Sequence, residues 1–78
     1  MQGRLGYNAD NDRYGLLSVD DWLHDGFHCG EPLEVLVDGE WVQSRMELRW
    51  TQNGGEWYLV GTPYSGKDLE FVIAKIPD

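Results

Sequence analysis

The sequence predicts an all-β domain, and three observations carry that prediction. Apolar and polar residues alternate with period two in several short runs, the mark of strands with one buried face. Clusters of Gly, Asn, Asp and Pro, the residues that turns demand, separate those runs. Alanine, the strongest helix former, occurs only at Ala9 and Ala74, whereas aromatic residues make up 13% of the chain. Seventy-eight residues make one domain, residues 1–78, with a thin core, because a chain of this size buries only about 60% of its unfolded surface. Two packed sheets would leave too few apolar residues for each. The expected architecture is therefore one bent sheet closing on itself, a small SH3-like barrel of five or six antiparallel strands, with an oligonucleotide-binding barrel as the alternative.

Each element follows from local pattern. Leu5 and Tyr7 alternate with Arg4 and Gly6, predicting a strand over residues 4–8. Asn8 to Asp12 reads as a turn, and residues 13–19 as a second strand in which Gly15 marks a bulge or a close backbone approach. Asp20 to Gly30 lacks strand alternation and is expected to be a long loop. Leu33, Val35 and Val37 share one face of a strand that runs into Asp38-Gly39, a strong hairpin signal. The return strand runs from Trp41 to about Trp50, with Val42, Ser44, Met46, Leu48 and Trp50 on one face and Trp41 among polar residues on the other. After a turn at residues 51–55, Glu56 to Val60 forms a further strand. A turn-rich loop over residues 61–68 leads to a last strand, Leu69 to Ile76.

Charge narrows the function. The net charge is −8, and residues 10–40 hold nine of the fourteen acids with Arg13 as their only base. Direct nucleic-acid binding needs a basic patch, and none is visible. No apolar run approaches the roughly 18 residues of a membrane span, and the first residues lack the apolar stretch of a signal peptide. A single cysteine excludes an internal disulfide. A cytoplasmic protein, monomeric or weakly dimeric and without a cofactor, is expected.

The chemically richest stretch is His24-Asp25-Gly26-Phe27-His28-Cys29. His24, His28 and Cys29 are three metal-ligand types, but a structural zinc site needs four, so no metal is expected. Cys29 lacks a neighbouring base on its own face and is expected to be a small buried residue. Asp20-Asp21 and Glu34 with Glu40 are the obvious carboxylate pairs, yet they fall on turns and exposed strand faces where nothing desolvates them, so no enzyme is expected. Most aromatic residues are assigned to the core, with Trp41 and Tyr64 the expected exceptions.

Several short blocks point to a family. His28-Cys29-Gly30-Glu31, Leu33-Glu34-Val35, Gly39-x-Trp41, Arg45-x-Glu47 and Glu56-Trp57-Tyr58-Leu59 occur in that order, preceded by Leu5-Gly6-Tyr7-Asn8 and Arg13-Tyr14. Together they resemble a family of short β domains of unknown function from Gram-positive bacteria and their mobile elements. The resemblance implies a compact β fold and carries over no catalytic or binding residue.

The expected function is a non-enzymatic protein-binding module. Asp20, Asp21, Asp25 and Glu31 would form an acidic face, Trp22 and Trp41 would supply the anchors, and a basic protein surface would be the partner. The alternatives are an acidic mimic of nucleic acid that blocks a nucleic-acid-binding protein, as anti-CRISPR proteins do, and a small metal-dependent or thiol enzyme.

Overall fold

The computed structural model describes residues 1–77. Seven strands form a single antiparallel sheet: β1 (Gln2–Asn8), β2 (Arg13–Ser18), β3 (Asp21–His24), β4 (Pro32–Val37), β5 (Glu40–Thr51), β6 (Gly54–Leu59) and β7 (Ile73–Lys75). A short 3-10 helix, η1 (Gly66–Leu69), precedes β7. The strand order is β3-β2-β1-β7-β4-β5-β6. Two three-stranded meanders, β1–β3 and β4–β6, thus flank one short strand from the end of the chain.

The all-β expectation holds, but the barrel does not close. β3 and β6 remain as the two edges, and there are seven strands rather than five or six. The sheet curls far enough for the β1–β2 turn to reach β6, where the Trp57 indole N–H donates to the Asp12 carbonyl at 3.1 Å. Its concave side holds the core, which includes Leu5, Leu16, Phe27, Leu33, Val35, Met46, Leu59 and Ala74.

The extra strand is β3, where a loop was expected. Its alternation is hidden by a bulge: Leu16 faces His24 while the next residue, Leu17, faces Trp22, leaving Leu23 unpaired. In a regular strand Trp22 and His24 would share a face. The bulge instead sends Trp22 to the outer face and His24 inward, where its ring stacks on buried Phe27 with centroids 4.3 Å apart.

The last strand is shorter than predicted. Leu69 belongs to η1, and Phe71 has φ of 69°, which breaks extended structure before Ile73. Residues still alternate around the break: Val72 and Ala74 are buried, while Phe71 and Ile73 are exposed. Trp50 is also a correction. It keeps the inner facing expected of it, but β5 outruns the core, and Trp50 is 79% exposed.

Candidate functional site

The two predicted anchors, Trp22 and Trp41, lie on the same outer face of the sheet, at opposite ends of one row. Trp22 pairs with Leu17, Leu17 with Arg4, and Arg4 with Ile73. The register that pairs Val35 with Ala74 carries Leu36 opposite Ile73, and Leu36 pairs with Trp41. One cross-strand row therefore runs Trp22, Leu17, Arg4, Ile73, Leu36, Trp41. It crosses five strand spacings, an arc of about 24 Å at roughly 4.8 Å per spacing.

Glycine makes the row possible. Gly6 and Gly15 face each other across β1 and β2, one step from the row. A Cβ on Gly15 would fall 2.8 Å from the Trp22 ring and 2.3 Å from the His24 carbonyl. The bare backbone is the bed on which the indole lies, leaving Trp22 38% exposed. At the other end Trp41 is 39% exposed, and the Lys75 ammonium sits 4.1 Å from its ring centre. Lys75 also pairs with Glu34 at 3.4 Å. Beside the row, a groove of about 410 Å³ is lined by Pro32, Glu34, Gln43, Lys75 and Pro77.

Acidic turns close both ends. Asp20 and Asp21 are exposed at the β2–β3 turn next to Trp22, and Asp38 and Glu40 are exposed at the β4–β5 turn next to Trp41. Val19, at the first position of the β2–β3 turn, is 75% exposed and has φ of 55°. A β-branched residue there is strained by about 1–2 kcal/mol. Its carbonyl accepts a bond from the Arg4 guanidinium at 2.9 Å, so the row and the turn are tied together.

The remaining predicted residues separate from this surface. Asp25 is exposed beyond the end of β3, where its carbonyl accepts from the side chains of Asn8 and Asn11. Glu31 is turned to structural use. It meets His24 Nε2 at 2.5 Å and accepts from the His28 backbone N–H at 2.9 Å. Burial alone would push its carboxyl up, but the His28 N–H and the His24 ring hold it below the ordinary carboxylate value. His24 Nδ1 in turn accepts from the Gly26 N–H at 3.1 Å, so both ring nitrogens are engaged.

His28 to Glu31 forms a turn, with the Glu31 N–H donating to the His28 carbonyl and Gly30 at φ of 84°. Cys29 sits exposed at its tip, not buried as expected, because the turn faces away from the core it is docked on. Among the described residues no group of three His, Cys, Asp or Glu side chains converges as a metal site would require. No helix among them is long and apolar enough to cross a membrane.

Leu17, Leu36, Ile73 and Arg4, which complete the row, are not among the residues the sequence assigns to binding. The available signal was the pair of strand-interior glycines, Gly6 and Gly15, which marks an uncovered patch that a large side chain must fill.

Residues 3–76 match a family model described as a domain of unknown function (DUF5348). No curated protein and no solved structure matches the chain.

Proposed function

Because this chain belongs to the DUF5348 family, whose function is unknown, we propose its role from the surface it presents: a non-enzymatic protein-binding module whose outer sheet face docks on a basic protein. The observation that carries this reading is the cross-strand row ending in Trp22 and Trp41, with an acidic turn beside each end. Tryptophans held on a sheet lose little freedom on binding and supply large area, which is why such residues dominate binding energy. The flanking carboxylates add long-range attraction for a basic partner and raise the rate of encounter. They also disfavour a second copy of this chain, because reversing the row against itself would bring Asp20 and Asp21 onto Asp38 and Glu40 of the other copy. The reading is non-enzymatic because the half-buried His24–Glu31 pair spends its bonding on itself and on backbone N–H groups.

The test compares proteins captured by the immobilised parent with those captured by a Trp22→Ala/Trp41→Ala double variant. Both are run at about 0.05 M and 0.5 M salt, where the screening length differs roughly threefold. The expected result is a basic protein retained by the parent at low salt, released at high salt and absent from the variant. Equal capture by parent and variant, or capture indifferent to salt, overturns the proposal.

A further inference from the structure

The β5–β6 turn holds the chain's only Asn-Gly dipeptide, Asn53-Gly54. We propose that Asn53 is a site of spontaneous deamidation, gated by the Thr51 hydroxyl, and that the modification loosens the open end of the hairpin. Asparagine is a chemically labile residue. Its fate depends on the freedom of its own amide and on access to the backbone nitrogen that follows it.

The three asparagines differ in both respects. Asn8 and Asn11 are held at both ends of the side chain. Their Nδ2 groups donate to the Asp25 carbonyl at 3.0 and 2.9 Å, and their Oδ1 atoms accept from the backbone N–H groups of Asp10 and Arg13. Ala9 and Asp12 follow them, and each carries a side chain beside the nitrogen that would attack. Asn53 is exposed, and its side-chain amide has no partner among the described residues. Gly54 follows it with φ of 111°, and even a Cβ built there would meet nothing within 4 Å.

The reaction consumes only water. The Gly54 amide nitrogen gives its proton to solvent base and attacks Asn53 Cγ. A C–N bond forms, the Cγ–Nδ2 bond breaks, and the side-chain nitrogen leaves as ammonia after taking a proton from solvent. Water then opens the resulting cyclic imide at either carbonyl. Opening at Cγ leaves aspartate. Opening at the former Asn53 backbone carbonyl leaves isoaspartate, in which the chain runs through Cβ.

The folded turn restrains this closure. Thr51 and Gly54 are the last pair of the β5–β6 ladder. The Thr51 hydroxyl donates to the Gly54 carbonyl at 2.9 Å and accepts from the Asn53 N–H at 3.2 Å. One hydroxyl thus holds both residues between which the ring must close. Closure proceeds when this terminal pair frays, an opening that costs little free energy at the end of a hairpin. Isoaspartate then adds a backbone carbon to the turn and shifts Gly54 against Thr51. The site lies at the far end of β5 from Trp41, so it stands independently of the outer row.

The test incubates the parent, Asn53→Gln and Thr51→Val in mildly alkaline buffer beside a free peptide of residues 48–58, followed by peptide mass spectrometry and labelling with an isoaspartyl methyltransferase. In the parent, the mass change of an amide becoming an acid is expected at Asn53, with the label in the same peptide and at a lower rate than in the free peptide. Asn53→Gln should lose both signals, and Thr51→Val should react several-fold faster than the parent. Isomerisation at Asp25-Gly26 or Asp38-Gly39 leaves the mass unchanged and is thereby told apart. Amide exchange in the modified protein should rise at Gly54 and Gly55 and stay unchanged in β1 and β4. An Asn53 still intact when the free peptide has fully reacted overturns the proposal, as does earlier conversion of Asn8 or Asn11. Equal rates in the parent and Thr51→Val overturn the gate.

Discussion

The two meanders have the same strand count and opposite styles of construction. The second, β4–β6, is held by long, regular ladders, and its first turn, Asp38-Gly39, has positive φ at both positions, as a type I′ hairpin requires. The first, β1–β3, is short, bulged and fastened by side chains that reach into loops. Arg4 holds the Val19 carbonyl, Asn8 and Asn11 hold that of Asp25, and Glu31 holds both His24 and His28. Its two-residue turn, Val19-Asp20, places a β-branched residue where glycine belongs. Regular pairing tolerates substitution, whereas a strand fastened by individual contacts depends on each of them.

Equivalent substitutions in the two meanders sharpen that contrast. The largest effect is expected for Gly15→Ala, whose new methyl meets the His24 carbonyl and the Trp22 ring and costs about 1–3 kcal/mol of stability. Gly55→Ala meets only the end of the Leu48 side chain and the Trp50 ring, and should stay within about 0.5 kcal/mol. Urea melts of the two variants side by side measure the difference, and equal midpoints would break the comparison.

A smaller loss is expected for Glu31→Gln, about 1 kcal/mol at neutral pH from weakening the charge-assisted bonds to His24 and His28. Because the folded carboxyl sits below its ordinary value of 4.5, its contribution is complete above that pH and fades as pH falls through the folded value. Parent and variant midpoints should therefore differ at pH 7, and the gap should narrow as pH falls below 4.5. A gap that stays constant throughout the acid range would assign the loss to packing instead.

The smallest effect has the opposite sign. Val19→Gly relieves the left-handed strain but frees the unfolded chain, for a net gain of about 0.5 kcal/mol, read as a raised urea midpoint. A lowered midpoint would mean that the Val19 side chain contributes packing that its exposure does not suggest.

The same contrast explains what could be read in advance. β4, the Asp38-Gly39 turn, β5 and β6 were legible because alternation and turn chemistry agree along them. β3 was not, because one unpaired residue, Leu23, shifts Trp22 and His24 onto opposite faces and erases the period. The exposure of Trp41 follows from its place among polar residues on β5, and Trp22 shares its face, yet the row joining them depends on the register of β7 between β1 and β4. No local pattern encodes that register. Glu31 has the sequence signature of surface charge, because its partner, His24, approaches only through the bulge. Trp50 fits the inner-face pattern, and its exposure follows from where the core ends, a property of the whole sheet.

β7 also bears on how the molecule assembles. Among the described residues, its three residues supply the only strand pairing between the meanders, Gln2 to Arg4 on one side and Glu34 and Val35 on the other. Each meander consists of contacts close in sequence and can form early, but joining them requires closing a loop of roughly seventy residues onto β1. Such non-local closure slows folding relative to local pairing. Refolding should therefore show β4–β6 protected from hydrogen exchange before β1 and β7. A chain still emerging from synthesis would carry two preformed halves with their apolar inner faces open until its last strand arrives.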